Sequence, residues 1–452
     1  MFRASLVLPF FLLPALVLGQ ATVPIGFSGT ARKQAASEGQ STSPGTPAPH
    51  PSPTPGATLI TLDQAITLAL ANNPTLKATR TEIEQNQAQE VTANLRPNPE
   101  LLFDSQFLPI FEPGSFSDNT LTNIQQFDLG VGYLFERGHK RQNRLRAARD
   151  QTAVTVSQVA DAERTLTFNV AQQFIGALLA NSNLQFAEED LTSFRKTVDI
   201  SEQRYKAGDI SKGDYLKITL QLLQFQTDVT SARVARVQAL NSLRQLLGYL
   251  SVPHNYDVAG DLEYQPLTAN LTDVENKAIQ QRPDLRAAEK GITAAQSQVS
   301  LAKANGKVDP TVNLLYTHVS GLSSTSLFFS VPLPFFNRNQ GEIARTRFAA
   351  TQAQFTARAA LDTVLTDVGN AYEASKTNEE VVQLYISGYL KQAQESRDIS
   401  AYAYTAGAAT LLDFLDAERS YRATQLAYRQ ALATYMVSVE QLRQAVGSRS
   451  LP

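Results

Sequence analysis

Residues 404–447 read YTAGAATLLDFLDAERSYRATQLAYRQALATYMVSVEQLRQAVG, and residues 205–248 read YKAGDISKGDYLKITLQLLQFQTDVTSARVARVQALNSLRQLLG. Aligned at a constant offset of 199 residues, the two stretches share 11 of their 44 positions without a gap. Both begin Tyr-x-Ala-Gly and both end Leu-Arg-Gln-x-x-Gly. A constant offset over that length indicates an internal duplication, so we predict that the chain consists of two copies of one structural repeat.

The second of these stretches carries a seam of large side chains at seven-residue spacing. Its members are Phe414, Tyr421, Tyr428, Tyr435 and Leu442, and smaller residues lie midway between them. This pattern is typical of knobs-into-holes packing between helices. The first stretch keeps the seam from Tyr215 to Leu246 and breaks it only at Arg236. We therefore predict coiled-coil packing for both stretches, with an ordinary core-facing helix as the alternative.

Composition excludes several kinds of site. With 40 basic and 42 acidic residues, the chain gives no electrostatic reason to expect a nucleic-acid partner. It contains no cysteine, which excludes disulfides, thiolate metal sites and cysteine nucleophiles. The four histidines lie far apart in the sequence and no catalytic motif is present, so we expect no metal site, no cofactor and no enzyme activity. Two acidic runs, residues 188–190 and 379–380, are interpreted as solvated helix faces.

The beginning of the chain has the features of an exported protein. Residues 1–21 combine Arg3, an apolar run and the ending Gly19-Gln-Ala21, which is the pattern of a cleaved signal peptide. Residues 22–57 are rich in proline and serine and are predicted to form a disordered tether. We therefore expect the chain to be exported.

Residues 58–249 and 271–448 are predicted to be the two repeats, with an irregular link at 250–270. In the first repeat we expect strands at about 99–108 and 126–136, a long helix at about 139–206 and a further helix at 214–247. In the second repeat we expect strands at about 311–319 and 326–335, a long helix at about 340–405 and a further helix at 411–446. Capping-box patterns at 61–64 and 272–275 predict a helix start in each repeat.

The long helices and the strand pairs constrain the architecture. Neither long helical run contains proline, and at 1.5 Å per residue each would extend on the order of 100 Å. A helix of that length belongs in a coiled coil, a repeat array or a tube. Strands of about ten residues match the span of a membrane β-strand. A small soluble hairpin is the alternative, and Pro332 and Pro334 favour it because proline cannot donate to a strand ladder.

The signal peptide, the duplication, the strand pairs and the two Tyr-x-x-Gly turns followed by Asp-x-Leu resemble the TolC-like outer-membrane efflux proteins over roughly residues 58–448. The resemblance implies a mainly α fold with four β-strands per chain. In that fold a homotrimer forms a 12-stranded outer-membrane β-barrel, continued by a periplasmic α-helical barrel of coiled-coil hairpins. Open strand edges, which lipid does not tolerate, give a physical reason for such an assembly.

Two segments resemble the heavy-metal efflux branch of that family. They are residues 135–141, FERGHKR, and residues 331–342, VPLPFFNRNQGE. Both lie where a predicted strand leads into a predicted helix, so capping and turn geometry is the alternative explanation.

The resemblance also assigns roles to residues near the two turns. It places Asp413 and Asp416 at the pore entrance, where threefold symmetry would form a ring that favours cations. The alternative is that acidic residues favour the first turn of a helix. In the first repeat Asp214 is followed by Lys217 at the position of Asp416, so only the second repeat has an acidic pair.

Further residues of the turns are expected to close the entrance. The resemblance implies that Tyr404 and Asp214 form a latch between neighbouring helices, although Ala409 stands where the drug-efflux type has arginine. Glycines are expected to end the long helices in the left-handed conformation at Gly208 and Gly407. With Gly213, they mark exposed turns where a periplasmic adaptor could dock.

These observations favour an outer-membrane channel component of a tripartite efflux system. It would be a passive exit duct for metal cations or small drugs, located in the cell outer membrane with a large periplasmic part. Its partners would be a periplasmic adaptor protein, an inner-membrane pump and outer-membrane lipid. The alternatives are a periplasmic coiled-coil scaffold without a pore, or an exit duct for type I protein secretion.

Overall fold

The structure is a computed structural model that describes residues 57–107, 110–115, 117–118 and 125–452. The predicted signal peptide and the tether up to residue 56 lie outside the described residues. The described helices are α1 (Leu62–Asn72), α2 (Pro74–Asn94), α3 (Lys140–Ala207), α4 (Lys212–Leu247), α5 (Leu271–Gln281), α6 (Pro283–Asn305), α7 (Gln340–Leu384), α8 (Leu390–Thr405) and α9 (Leu411–Val446). The described strands are β1 (Thr58–Ile60), β2 (Glu100–Gln106), β3 (Gln126–Leu134), β4 (Tyr256–Val258), β5 (Thr311–Val319) and β6 (Leu322–Ser330).

The element order occurs twice along the chain. A short strand, two helices, two longer strands and a long helical run are followed by a returning helix in each half. The short strands β1 and β4 pair in parallel, with Thr58 opposite Tyr256, so they join the halves. The link at 250–270 therefore contains a strand, which the prediction of an irregular segment missed.

The four longer strands form one antiparallel sheet in the order β2-β3-β5-β6. Cross-strand partners lie on the same face of a sheet. One such row across the sheet is apolar and consists of Leu101, Val131, Leu314 and Leu327. A row on the other face is polar and consists of Asp104, Asp128, Thr317 and Ser324. The sheet thus has one apolar and one polar face.

The last strand, β6, begins at Leu322, four residues before its predicted start at 326. Val319 pairs with Leu322, so Ser320 and Gly321 alone make the turn, both with positive φ (52° and 75°). Two positive φ values are what a two-residue hairpin turn requires. The serine-rich segment that follows is strand rather than loop, and the strand ends at Ser330 before both prolines. The predicted bounds 326–335 were therefore wrong.

The helices bury their apolar residues in separate clusters along their length. One cluster joins α1, α3 and α4 to β1 and β4, and it includes Leu243. Its counterpart in the second half joins α5, α7 and α9 and includes Leu442, the residue equivalent to Leu243; both leucines are fully buried. The predicted seam faces inward in part, because Phe414, Tyr435 and Leu442 are at most 2% exposed while Tyr421 and Tyr428 are half-buried.

Two further predictions about the helices were wrong. The run at 340–405 is not one helix, because a π-helical turn at Tyr385–Tyr389 separates α7 from α8. The helix α5 is capped by Asn270, whose side chain accepts from the backbone N–H of Asp273, and not by Thr272. In the first repeat the predicted capping box is present, with Thr61 and Gln64 bonded to each other's backbone. The strand predicted at 99–108 is β2, and Leu108 lies outside the described residues.

Candidate functional site

The two turns between long antiparallel helices carry the predicted entrance residues. Gly208 and Gly407 have φ of 84° and 77°, the left-handed conformation that was predicted for them. Each ends its helix with backbone bonds that reach back over the last turn, from Asp209 to Arg204 O and from Ala408 to Ala403 O, both 2.8 Å. Gly213, predicted to belong to the turn, instead lies in the first turn of α4.

Asp413 caps its own helix. The Thr410 hydroxyl donates to Asp413 Oδ2 at 2.6 Å and accepts from the Asp413 N–H at 3.3 Å, while the Thr410 N–H donates to Oδ2 at 3.2 Å. The hydrogen bonds from Thr410 hold the pKa of Asp413 below its ordinary value. Asp416 is exposed and forms an ion pair with Arg419 on the same helix. Both carboxylates, called the entrance aspartates below after their predicted role, are exposed to water.

The equivalent turn of the first repeat has the same cap but a different charge. Ser211 donates to Asp214 Oδ2 at 2.8 Å and accepts from the Asp214 N–H at 3.1 Å. Lys217 lies 3.5 Å from Asp214 Oδ1, so this turn has a lysine at the position where the other has its second carboxylate. Capping therefore explains why an aspartate occurs at this position in both repeats.

Tyr404 and Asp214 have separate partners within the chain. The Tyr404 ring is buried, its hydroxyl lies 3.4 Å from Ser201 Oγ, and Arg204 donates to its carbonyl oxygen at 2.7 Å. Asp214 is occupied by Ser211 and Lys217. The predicted latch between Tyr404 and Asp214 is not formed within one chain among the described residues.

Tyr404 instead belongs to a stack of four aromatic rings, one from each helix at the turns. In order the rings are Tyr404 from α8, Phe414 from α9, Phe194 from α3 and Phe225 from α4. Successive centroids are 5.4, 6.4 and 4.2 Å apart, and the rings are within 13° of parallel. The guanidinium groups of Arg204 and Arg422 lie over the two end rings, at 5.2 and 4.1 Å. Apolar stacking with a cation at each end therefore joins the two hairpins.

A buried charged cluster next to this stack was missed by the sequence prediction. Arg422 of α9 forms ion pairs with Asp190 of α3 at 2.6 Å and with Asp228 of α4 at 2.5 Å. Glu418 of α9 is also buried, and burial first, then the charge of Asp190, raise its pKa to about 7. The interpretation of residues 188–190 as a solvated face was wrong for Asp190, which is 5% exposed.

The sequence contained a signal for this burial. Asp190 is four residues from both Phe186 and Phe194, and Glu418 is four residues after Phe414. Residues four apart share a helix face, so both carboxyl groups lie on faces that carry buried aromatic rings. The interpretation of residues 379–380 as a solvated face was also wrong for Glu379, which is buried and accepts hydrogen bonds from Tyr264 Oη at 2.9 Å and from Leu267 N at 3.2 Å.

The segments that resemble the heavy-metal branch connect strands to long helices. His139 and Asn339, which precede α3 and α7, have φ of 60° and 61°. Asp309 accepts from the Arg137 N–H at 2.7 Å and pairs with Lys140 at 2.6 Å, which fixes the first of these connections. Turn and cap geometry, the alternative explanation, thus accounts for these contacts.

No group of three or more histidine, aspartate or glutamate side chains is arranged to hold a metal ion within the described ranges. Within that same part of the chain, none of the helices combines the length and the apolarity that crossing a bilayer requires.

Comparison with known proteins decides the family. The model of the outer membrane efflux protein family matches residues 65–249 and 274–448, one segment in each repeat. The chain belongs to the outer membrane efflux protein family. Family membership and an outer-membrane location with a periplasmic extension were both predicted, and both are confirmed. The family is one of transport proteins.

The names of this efflux protein's relatives refer to different molecules. The chain is 23% identical over 385 residues to the cobalt-zinc-cadmium resistance protein CzcC of Cupriavidus metallidurans, covering 84% of this chain and 88% of that one. It is 26% identical over 404 residues to the pyoverdine export outer membrane protein OpmQ of Pseudomonas aeruginosa, covering 84% and 83%. A crystal structure of CusC superimposes with a TM-score of 0.71 at 20% identity, over 86% of this chain and 92% of that one. The predicted TolC-like fold is thereby confirmed.

Proposed function

We propose that this efflux protein is a passive exit duct that three copies of the chain form together in the outer membrane. The open sheet is the observation that carries the proposal. Its edge strands β2 and β6 each pair on one side only among the described residues. In a bilayer an unpaired strand edge is costly, so the sheet needs other copies to close it. Three four-stranded sheets would give twelve strands, with the apolar rows facing lipid and the polar rows lining the lumen.

The long helices would continue the duct away from the membrane. At 1.5 Å per residue the 68 residues of α3 extend on the order of 100 Å. The two glycine turns lie at the far end of the α3–α4 and α8–α9 hairpins, which makes them the surface for a periplasmic adaptor. A passive duct needs an energy source elsewhere, and an inner-membrane pump would supply it.

Cations are the cargo that the turns favour most. The entrance aspartates would repeat into a ring of six carboxylates in a threefold assembly, and such a ring attracts cations. The name of CzcC refers to cobalt, zinc and cadmium. The name of OpmQ, at similar identity, refers to pyoverdine, which keeps small organic molecules as the second cargo class.

Conductance in planar bilayers tests the proposal. The purified protein should require detergent for extraction and should form pores that prefer cations. The double variant Asp413→Asn with Asp416→Asn should keep the pore and lose several-fold in cation preference, measured as the reversal potential in a salt gradient. Asp214→Asn in the first repeat is the matched control, because it also removes a carboxylate from a helix cap.

The outcomes separate the parts of the proposal. Failure of the assembled protein to conduct, together with extraction into plain buffer, would support a periplasmic scaffold instead of a duct. Conductance with an unchanged reversal potential in the double variant would refute the carboxylate ring but leave the duct standing.

A further inference from the structure

Two carboxyl groups are buried against each other between α3 and α9, close to the entrance aspartates. Asp190 and Glu418 are 5% and 7% exposed, and Arg422, one turn after Glu418 on α9, pairs with Asp190 at 2.6 Å. Burial raises the pKa of both groups, and the charge of Asp190 raises that of Glu418 further, so Glu418 is the group of the two that gains a proton. We call Asp190, Glu418 and Arg422 the carboxyl clamp.

Arg422 makes the clamp a connection between three helices. From α9 its guanidinium reaches Asp190 on α3 and Asp228 on α4, and it lies over the ring of Phe225. With Glu418 protonated, this one cation faces two carboxylates. Ionisation of Glu418 would add a third negative charge beside the most buried carboxylate of the group.

The surrounding cations compensate for that third charge only in part, since the pKa of Glu418 stays raised although Arg397 and Arg422 lower it. The charged and titratable groups near the pair are Glu189 from α3, Asp228 from α4, Arg397 and Asp398 from α8, and Asp416, Arg419, Tyr421 and Arg429 from α9. Arg397 is paired with Asp398 at 2.6 Å and lies over the ring of Tyr421. Arg429 lies over the ring of Phe186 and hydrogen-bonds to Ser182 and Gln425.

Protons can reach Glu418 without unfolding the helices. A cavity of about 330 Å³ between α4 and α9 is lined by Glu418 and Arg422, and also by the exposed Asp416 and Arg419. The site that would sense protons thus opens next to the proposed entrance.

We propose that Glu418 is a proton-dependent clamp residue, which holds the α8–α9 hairpin against the α3–α4 hairpin when protonated and releases it when ionised. Because α9 also carries the entrance aspartates, release would move them, and in this respect the inference rests on the proposed duct. Burial first, and then the charge of Asp190, raise the pKa of Glu418 to about 7 from an ordinary 4.5. The clamp is therefore complete below the ordinary pKa and is lost as the pH rises through about 7.

A distance measurement tests the clamp directly. Since the chain has no cysteine, Thr192→Cys on α3 and Ala423→Cys on α9 would introduce the only two thiols, both at exposed positions. Spin labels there, in trimers diluted with unlabelled chains, report the distance between the hairpins by double electron–electron resonance. Between the ordinary and the raised pKa of Glu418, the ratio of released to clamped molecules should rise up to about ten-fold per pH unit.

The variant Glu418→Gln tests whether ionisation of Glu418 causes the change in distance. A glutamine amide can donate to Asp190 as the protonated acid does and cannot ionise, so this variant should keep the short distance at all pH values. Glu395→Gln is the matched control, because Glu395 is exposed on α8 and pairs with Lys391 at 3.7 Å. The control should show the wild-type pH profile.

The failures are distinguishable. No lengthening in the wild type, or the same lengthening in Glu418→Gln, would overturn the clamp. If pores form and their conductance has the same pH profile in both proteins, the duct stands and the clamp is refuted. A pH-dependent distance that Glu418→Gln abolishes would support the clamp even in a protein that forms no pore.

Discussion

The two repeats satisfy the same backbone groups with different side chains. At the turns, Ser211 with Asp214 and Thr410 with Asp413 are equivalent pairs 199 residues apart, and each caps the returning helix. Three residues further on, the first repeat has Lys217 and the second has Asp416. Cap geometry is therefore common to both repeats, while the charge beside it differs.

The junctions between the short helices show the same relation. Asn73, before Pro74, donates from Nδ2 to the carbonyl oxygen of Leu246 at 2.9 Å. Arg282, before Pro283, donates from Nη1 to the carbonyl oxygen of Ala445 at 3.2 Å. Leu246 and Ala445 are again 199 residues apart.

Each of these carbonyl groups lies in the last turn of a helix, where it has no partner within the helix. A buried carbonyl without a hydrogen bond is costly, so the donor is required, whereas the chemical group that carries it can change. The two repeats therefore share the positions of their hydrogen bonds, whereas the charges of the equivalent side chains differ.

Replacing Asn73 and Arg282 should give the largest difference between the repeats, measured as the loss in the free energy of unfolding. Arg282 is 2% exposed and pairs with Asp284 at 2.5 Å and with Asp367 at 3.0 Å, so Arg282→Ala removes one side of a buried ion-pair network. We expect a loss of about 3 kcal/mol in the free energy of unfolding, near the lower end for such pairs because both aspartates can reach water. Asn73→Ala removes a helix cap and should cost about 1 kcal/mol. Urea unfolding in detergent, followed by circular dichroism, measures both.

Equal losses for the two variants would contradict this comparison, because they would mean that only the shared hydrogen bond to the carbonyl contributes. Arg282→Gln offers a control, since it can keep that bond while removing the charge. Its loss should lie between the losses of the two alanine variants.

The sequence predicted what local spacing determines. The seven-residue seam of α9 predicted the inward face, because a helix presents residues seven apart on one side. Gly208 and Gly407 were predicted correctly, because a left-handed helix end strongly favours glycine. The duplication predicted that both turns would resemble each other.

Features that depend on tertiary neighbours were not predictable in the same way. The serine-rich start of β6 has the composition of a loop, and it is strand because the two-residue turn at Ser320 and Gly321 sets the pairing. The π-helical turn at Tyr385–Tyr389 was also not predicted; its Tyr385 packs against Tyr428 of α9, with ring centroids 6.1 Å apart. The carboxyl clamp was not predictable either, because it brings Asp190 of α3 together with Arg422 of α9, more than 200 residues later in the sequence.

A smaller effect should follow from removing the cap of α9. Thr410→Ala deletes the hydroxyl that bonds to Asp413, and loss of an N-cap costs about 1 kcal/mol. Because the pKa of Asp413 is lowered, its stabilising contribution is present above the ordinary pKa and is lost as the pH falls through the lowered value. In Thr410→Ala the pKa of Asp413 should rise toward the ordinary value. Nuclear magnetic resonance of protein labelled only at aspartate measures this shift.

Ser211→Ala is the matched variant in the first repeat and should leave the titration of Asp413 unchanged. A pKa of Asp413 that stays low in Thr410→Ala would show that the helix dipole, rather than the threonine hydroxyl, lowers it.

The smallest expected effect on stability comes from exchanging the charges that distinguish the two turns. Lys217→Asp and Asp416→Lys each change the charge by two per chain, with opposite sign. Both positions are exposed and their ion pairs lie on the surface, so neither exchange should change the free energy of unfolding by more than about 1 kcal/mol. Because both exchanges change the charge by the same amount, a difference between their effects on cation preference reports how close each turn lies to the path of the ions.

If α9 carries the entrance, Asp416→Lys should lower the cation preference several-fold, whereas Lys217→Asp should raise it less. Reversal potentials of single pores in a salt gradient measure both, at low ionic strength because salt screens exposed charges beyond about 10 Å at 0.1 M. A larger response from Lys217→Asp would place the first turn nearer the ions, and the acidic pair of the second repeat would then be a helix cap alone.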